Sequence, residues 1–178
     1  CHPSLVEPDI GLSSSKVEVF FELIEDILKN GHQALVFSQY VGYLDLIRQE
    51  LEKKGISYQY LDGSTPAVKR QQQVQDFQEG KSSLFLLSLK AGGVGLNLTA
   101  ADYVIHLDPW WNPAVEDQAS DRAHRLGQKR PVTIYRLIMQ NTIEEKIIQL
   151  HKDKRQLADD LLEGSHQATK MSEEDLIN

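Results

Sequence analysis

The segment from residue 108 to residue 128 reads Asp-Pro-Trp-Trp-Asn-Pro-Ala-Val-Glu-Asp-Gln-Ala-Ser-Asp-Arg-Ala-His-Arg-Leu-Gly-Gln. Pro109 and Pro113 predict a rigid turn, because each proline fixes its own φ and disfavours the helical region for the preceding residue. Asn112 then suits the N-cap of a helix that begins at Pro113, a favoured first position. Gly127 predicts the end of that helix.

The predicted helix carries a buried stripe with polar residues directly beside it. At about 100° per residue, four apolar side chains fall within an arc of about 80°: Val115, Ala119, Ala123 and Leu126. Three polar side chains fall within about 60° beside that stripe: Gln118, Arg122 and Arg125. A surface helix normally places its arginines opposite the core, so this arrangement predicts two guanidinium groups and an amide at the rim of a cleft.

The two arginines have two interpretations. A guanidinium group binds phosphate oxygens through two hydrogen bonds and keeps its charge, so the pair suits an anion with several oxygens. Alternatively, Asp121 lies four residues before Arg125 and Asp117 lies five before Arg122. Intrahelical ion pairs would then use at least one arginine. The spacing alone leaves both interpretations open.

Apolar runs and turn residues predict the remaining secondary structure. Five short strands are expected, at residues 34–38, 58–61, 84–89, 103–107 and 132–138. Start and stop residues place three helices before or between these strands: one from Ser15 to Gly31, one ending at Gly55, and one capped by Thr65 that runs from Pro66 to Gly80. Alternation of apolar strands with helices predicts an α/β fold, a parallel sheet with helices on both faces.

The composition fits one globular domain with a helical appendage. The chain has 178 residues and a single cysteine, Cys1. No disulfide framework and no Cys/His metal cluster is therefore expected, and a reducing interior suits the chain. Neither a membrane-spanning run nor a signal-peptide pattern is visible. Because the chain begins at Cys1 without a methionine, we expect it to be a piece of a longer polypeptide.

A glycine-rich segment follows the third predicted strand. Residues 88–99 read Ser-Leu-Lys-Ala-Gly-Gly-Val-Gly-Leu-Asn-Leu-Thr, and glycines at such spacing let backbone N–H groups approach an anion. A tight structural turn is the alternative. The segment is not a Rossmann fingerprint, and the chain has no P-loop, because Leu98 and Gln75 stand where glycines are required. No serine or cysteine in the context of a nucleophile accompanies His106 and Asp108. His106 is therefore expected to pack in the core rather than to act with Asp108.

Five segments resemble, in the family order, motifs of superfamily-2 helicases in the form typical of Swi/Snf-type DNA translocases. Residues 35–40 (Leu-Val-Phe-Ser-Gln-Tyr) resemble motif IV, and residues 61–65 (Leu-Asp-Gly-Ser-Thr) resemble the motif between IV and V. Residues 88–98 resemble motif V, and residues 108–113 resemble the tryptophan-containing segment before motif VI. Residues 121–128 (Asp-Arg-Ala-His-Arg-Leu-Gly-Gln) resemble motif VI itself. The chain is thus similar to the second, C-terminal RecA-like lobe of a Swi/Snf-like ATPase, which implies a three-layer RecA-like fold.

This resemblance implies a part in ATP hydrolysis. In the family, ATP with Mg²⁺ lies in a cleft between two RecA-like lobes, and the first lobe carries the P-loop and the acidic Mg²⁺ motif. By resemblance, Arg122 and Arg125 are arginine fingers, with Gln118 beside them. Three residues of the glycine-rich segment are expected near the nucleotide: Gly93, Gly95 and Asn97. With one wall of the cleft, the isolated chain is expected to be inactive.

The resemblance also implies a track for the backbone of double-stranded DNA. Six residues match family positions on or near it: Ser38, Gln39, Gly63, Ser64, Lys90 and Trp111. The net charge of −7 argues against a generally basic binder, so the contact is expected to be local. Trp111 is expected to be more exposed than Trp110; the alternative is that both pack under the turn. Lys90 replaces the threonine of many superfamily-2 helicases, which favours translocation over strand separation.

Three regions are expected along the chain: a lead-in at residues 1–12, a RecA-like lobe at 13–140, and a brace helix with a tail at 141–178. Thr142 and Glu145 predict a capping box for the brace helix, which would end at Gly164. Two alternative functions remain, a strand-separating helicase lobe and a non-catalytic interaction module.

The expected partners are double-stranded DNA, the first RecA-like lobe of the same polypeptide, and a protein–DNA complex that is remodelled. No membrane partner is expected. The compact motif region favours a bacterial protein, located in the cytoplasm and associated with the nucleoid. A eukaryotic member would be nuclear.

Overall fold

A parallel sheet of five strands forms the centre of the structure, a computed structural model that describes residues 15–90, 96–124 and 126–157. The strands are β1 (Ala34–Ser38), β2 (Tyr58–Leu61), β3 (Leu84–Ser88), β4 (Tyr103–His106) and β5 (Thr133–Arg136). Their order is β2-β3-β1-β4-β5, and every neighbouring pair is parallel. All five predicted strands are confirmed, the first two residue for residue. The predicted α/β class is confirmed with them.

Four helices accompany the sheet among the described residues of the first part of the chain. They are α1 (Ser15–Lys29), α2 (Val41–Lys53), α3 (Ala67–Gln78) and α4 (Pro113–Ser120). Gly31, Gly55 and Gly80 follow α1, α2 and α3 with φ of 71°, 68° and 75°. Glycine reaches these left-handed values without the Cβ clash of other residues, which explains why the predicted helix ends hold to within about two residues.

The core has two layers, one on each face of the sheet. Successive residues of a strand face opposite sides, so Val36 of β1 joins one buried cluster and Phe37 joins the other. The first cluster packs α1 and α2 against the sheet through residues such as Ile24 and Leu44. The second packs α3 and α4 through Phe77 and Ala119. Continuous burial of β1 and β3 on both faces accounts for their unbroken apolar runs.

The start of α3 differs from the prediction that Thr65 caps it. Pro66 is the N-cap, the helix begins at Ala67, and no side chain caps it. Thr65 instead belongs to a turn with Asp62: its hydroxyl accepts from Asp62 N at 3.0 Å and donates to Asp62 Oδ1 at 3.2 Å. The Thr65 hydroxyl is thus engaged by Asp62 and not by an N–H group of α3, because local side-chain bonds of this kind compete with helix capping.

The end of α4 also differs from the prediction. Asn112 caps its start as expected, since Asn112 Oδ1 accepts from Ala114 N at 3.1 Å. The helix stops at Ser120 instead of reaching Gly127. Tighter i→i−3 bonds follow, from Arg122 N to Ala119 O and from Ala123 N to Ser120 O.

A tertiary contact accounts for this early end. Leu98 N donates to Arg122 O at 3.0 Å, which takes up a carbonyl that a longer helix would have used. The helical wheel therefore does not apply beyond Ser120. Leu126, predicted on the buried stripe, is fully exposed, whereas Ala119 and Ala123 are buried as predicted.

A second compact unit begins at Gln140, after a first unit that ends at Met139. Within the second unit, residues 143–157 are helical. Thr142 Oγ1 accepts from Glu144 N at 3.2 Å, and Glu145 accepts from Asn141 N at 2.9 Å. The predicted capping residues thus do bind N–H groups at the helix start, although Glu145 reaches Asn141 rather than Thr142. Gly164 lies outside the described residues. Among the residues described, no helix is long and apolar enough to span a membrane.

Candidate functional site

The carboxyl ends of β3, β1 and β4 lie side by side, because these three strands are neighbours in the sheet. Ligands of open α/β sheets bind at this edge. Ser38 ends β1 opposite Ser88 of β3, and Leu89 N donates to Ser38 O at 2.9 Å. Lys90, which follows, is exposed. The segments that resemble motifs IV and V and the tryptophan-containing segment therefore leave the sheet at one edge.

Asp108 joins two of these segments. Its carboxylate accepts hydrogen bonds from the Ser38 hydroxyl and from Gln39 N, the latter at 3.0 Å. In return Gln39 Nε2 donates to Pro109 O at 3.2 Å. Asp108 is 4% exposed, and burial raises the pKa of its carboxyl above the ordinary value although these hydrogen bonds oppose the rise. The turn after β1 is thus fixed to the turn after β4 through side chain and backbone.

Glu116 of α4 also binds the tryptophan-containing segment, through the backbone of Trp110. It is almost completely buried; one carboxylate oxygen accepts from Trp110 N at 2.8 Å and the other from Arg136 Nε at 2.7 Å. Trp110 packs against the core, whereas Trp111 is 53% exposed. The expectation that Trp111 is the more exposed tryptophan is confirmed, and the alternative that both pack under the turn is wrong.

Arg122 is buried beside β1, whereas the helical wheel predicted it beside the buried stripe at the rim of a cleft. The residue is 5% exposed, and its guanidinium carbon lies 5.5 Å from the centre of the Phe37 ring. The same ring stacks on His106 at 5.5 Å, and Ser120 Oγ lies 3.1 Å from His106 Nε2. Burial lowers the pKa of His106 to about 4, so the imidazole is neutral at pH 7. The prediction that His106 packs in the core is confirmed.

Other predicted site residues differ in how the structure places them. Gln118 and Asn97 are exposed. Ser38 is fully buried with its hydroxyl bound to Asp108. Three predicted residues lie outside the described part of the chain: Arg125, Gly93 and Gly95. Their assigned roles, like those of the other predicted site residues, stay predictions.

The turn after β2 is organised around Asp62. Its Oδ1 accepts from Ser64 N at 2.9 Å and from the Ser64 hydroxyl at 2.6 Å, and Tyr60 donates to its Oδ2 at 2.8 Å. The bond from the Ser64 hydroxyl, with those from Tyr60 and Thr65, lowers the pKa of Asp62 to about 2. Gly63 and Ser64 are exposed. The two predicted DNA contacts in this turn are therefore presented on a loop that its own aspartate holds in shape.

Two polar residues that connect segments of the fold, Glu116 and Gln128, were not predicted from the sequence: Glu116 binds the turn after β4, and Gln128 binds the chain before β4. Glu116 lies in the first turn of α4, where an acidic residue ordinarily faces solvent, so nothing in the local pattern marks its burial. Gln128 closes the segment that resembles motif VI, and its side chain reaches Ala101 and Ala123. Both bind partners whose proximity depends on the fold.

Comparisons with known proteins agree with this architecture. The sequence model of one family, the helicase conserved C-terminal domain, matches residues 15–127. An uncharacterized ATP-dependent helicase of Mycoplasma pneumoniae is 44% identical over 146 residues, which cover 82% of this chain and 14% of that protein. The human chromatin-remodeling ATPase INO80 is 43% identical over 154 residues, which cover 86% of this chain and 10% of that protein. The chain thus spans less than a fifth of either relative.

A solved structure shows the same fold. A crystal structure of the C-terminal part of the Fun30 ATPase domain superposes with a TM-score of 0.75 at 40% identity, covering 80% of this chain and 46% of that chain. The predicted RecA-like architecture is confirmed by this likeness together with the five-stranded parallel sheet.

Proposed function

The chain belongs to the helicase conserved C-terminal domain family, as the second RecA-like lobe of a Swi/Snf-like ATPase, and on that premise we propose that it forms one wall of an ATP-hydrolysing cleft. The rest of the site belongs to the longer polypeptide of which such a lobe is a part. The first lobe binds ATP and Mg²⁺, and this lobe supplies Arg122 and Arg125 as arginine fingers, with Gln118 beside them. Gly93, Gly95 and Asn97 line the nucleotide.

The placement of Arg122 carries this proposal. Its guanidinium is withdrawn from water and rests on the face of Phe37, one residue before the end of β1 and therefore near the edge where ligands of α/β sheets bind. A charge at such a position acts through a lower effective dielectric than one in solvent. Arginine fingers form no covalent bond; they stabilise the negative charge that develops during phosphoryl transfer. A buried guanidinium already held in one orientation suits this role because it requires little reorganisation.

We further propose that the same edge carries part of a double-stranded DNA track. Exposed Trp111 and Lys90, Gln39 beside Asp108, and the turn with Gly63 and Ser64 supply contacts to sugar and phosphate. Ser38 belongs to the track through the turn that its hydroxyl helps to hold. Such contacts carry no base information, which suits movement along DNA of any sequence.

The proposed translocation combines the nucleotide contacts with the DNA contacts of this lobe. Phe37 beneath Arg122 and the track residue Ser38 are adjacent in β1, which supports a connection between the two proposed sites. Closure of the lobes on ATP and opening after hydrolysis would then step them along one strand. A protein–DNA complex would be displaced or remodelled by this motion. A eukaryotic member would act in the nucleus and a bacterial one on the nucleoid. An unwinding assay separates translocation from strand separation, the alternative activity of the family.

The experiment that tests the cleft assignment is Arg122→Ala in the full-length protein. Nucleotide affinity is expected to change only a few-fold, because the other lobe binds the ground state, whereas DNA-stimulated hydrolysis falls by about 10³-fold or more. Lys53→Ala, which removes an exposed cation from the end of α2, is the matched control and keeps normal turnover. A stably folded Arg122→Ala protein with near-normal turnover would refute the assignment of Arg122 as a finger.

A further inference from the structure

The side chain of Gln128 connects three segments around the candidate finger. Its Nε2 donates to Ala101 O at 2.7 Å, to Ala123 O at 3.0 Å and to Thr99 O at 3.1 Å. Its Oε1 accepts from Arg130 N at 3.0 Å. The amide therefore joins the chain before β4, the chain after α4 and the chain that leads to β5.

Only one orientation of this amide is compatible with its surroundings. An amide NH₂ group has two hydrogens to donate, so one of them is shared between two of the three carbonyl groups, and the amide oxygen only accepts. The reversed orientation would place the oxygen of Gln128 against the three carbonyl groups of Thr99, Ala101 and Ala123, and the NH₂ against the N–H of Arg130. Both of those contacts would be repulsive, so the donors of Gln128 face the carbonyl groups.

The early end of α4 makes this amide important for Arg122. A helix would hold the carbonyl groups of residues 122 and 123 through its own backbone ladder. Because α4 stops at Ser120, they are held by other bonds: Arg122 O accepts from Leu98 N of a distant segment at 3.0 Å, and Ala123 O accepts from Gln128 Nε2, five residues along the chain. The two peptide groups that follow Arg122 are thus anchored from outside the helix: Leu98 N binds the first, and the side chain of Gln128 binds the second.

We propose that Gln128 is a positioning residue for Arg122: its amide ties the backbone at Ala123 to Thr99 and Ala101 and so fixes the finger against Phe37. This inference rests on the proposed role of Arg122 in hydrolysis. It adds that the geometry of the finger depends on a side chain that is not expected to touch the nucleotide.

The first test is Gln128→Glu in the full-length protein. The substitution keeps the shape of the side chain but turns a double donor into an acceptor that faces three carbonyl oxygens. A displacement of about 1 Å at a catalytic group costs on the order of 10²-fold in rate, so kcat for DNA-stimulated hydrolysis is expected to fall about 30- to 100-fold. The KM for ATP is expected to stay within about threefold, because the first lobe binds the ground state. Gln71→Glu, the same change on the exposed face of α3, is the control and retains parental turnover.

The second test is a double-mutant cycle with Arg122→Ala, which separates a positioning role from a general structural one. If Gln128 acts through Arg122, then Gln128→Glu lowers kcat by less than about twofold once Arg122 is already alanine. Independent, multiplicative losses would overturn the inference. Near-normal kcat for a folded Gln128→Glu protein, with Arg122→Ala inactive, would overturn it while leaving the proposed function intact. Near-normal kcat for Arg122→Ala would overturn both.

A milder variant covers the case in which Gln128→Glu does not fold. Gln128→Met keeps the length of the side chain and introduces no charge, so the three carbonyl groups lose their donor without meeting a carboxylate. It is expected to fold, as measured by its melting temperature, and to show the same loss of kcat with little change in KM. If Gln128→Met also fails to fold, or folds with parental kcat, the positioning role is refuted.

Discussion

Acidification should destabilise this chain through His106 in particular. The residue is fully buried between Phe37 and Ser120, and burial lowers the pKa of His106 from its ordinary value of 6.5 to about 4. The unfolded chain binds a proton at this histidine below about pH 6.5, whereas the folded chain does so only near pH 4. Stability contributed by the neutral imidazole is therefore complete well above pH 6.5 and is lost as the pH falls from 6.5 to 4.

The size of the effect follows from the difference between the two pKa values. One pKa unit corresponds to about 1.4 kcal/mol, so protonation of the unfolded chain costs the folded state roughly 3 kcal/mol below pH 4. Between pH 7 and pH 5 the same relation gives a loss of about 2 kcal/mol. A domain is typically stable by only about 5–15 kcal/mol, so this single group is expected to produce a measurable acid transition.

Urea unfolding of the chain at pH 7 and pH 5 tests this expectation. His106→Gln removes the titrating group, so its free energy of unfolding should fall by about 2 kcal/mol less than that of the parent between the two pH values. His124→Gln is the matched control, because His124 is exposed, and it should retain the parental pH dependence. Equal pH dependence in His106→Gln and the parent would contradict the assignment of a buried neutral histidine.

Three further predictions concern the site. Glu116→Gln should lower the free energy of unfolding by about 3 kcal/mol in urea titrations, because the partly buried Arg136 loses its 2.7 Å carboxylate partner and keeps only the exposed Asp117, 4.0 Å away. Trp111→Ala should change the melting temperature little, since the residue is half exposed, whereas Trp110→Ala should lower it clearly; equal effects would show that both tryptophans are structural. The isolated chain should hydrolyse no ATP, and its binding to DNA should be weak, indifferent to sequence and lost as salt rises. Phosphate release by the pure chain, or binding that persists in high salt, would contradict the half-site assignment.

The overall negative charge of the chain is compatible with the proposed contact to DNA. The net charge of −7 is spread over the chain, and some carboxylates at the candidate site are engaged internally. Asp108 binds the turn after β1, and Asp62 binds Ser64 and Tyr60. Asp108 thus helps to hold the turn after β4 that leads to exposed Trp111, and Asp62 shapes the turn that presents Gly63 and Ser64. A track of few contacts, arranged by carboxylates that are hydrogen-bonded within the fold, is compatible with an overall negative protein because salt screens distant charges.

The sequence by itself determined the elements and the family. Residues 34–38 and 58–61 were recognisable as strands because a strand covered by helices needs unbroken apolar residues, and glycine marks the helix ends because it tolerates positive φ. Asn112 and Pro113 predicted the start of α4, because N-capping by asparagine and proline at the first helical position depend only on neighbouring residues. The motif resemblance pointed to the lobe, since the spacing of five segments is itself a property of the sequence.

Tertiary structure alone decided which polar groups meet. Ser38 and Asp108 are 70 positions apart in sequence, and no local pattern predicts that their side chains bond. The end of α4 was mispredicted because the amide of Leu98, from a distant loop, takes the carbonyl of Arg122. The spacing of apolar residues along an element indicates which of its residues face the core, and this spacing is a property of the local sequence. A hydrogen bond depends on which distant segments the packed strands bring within about 3 Å of one another, and only the folded chain specifies that.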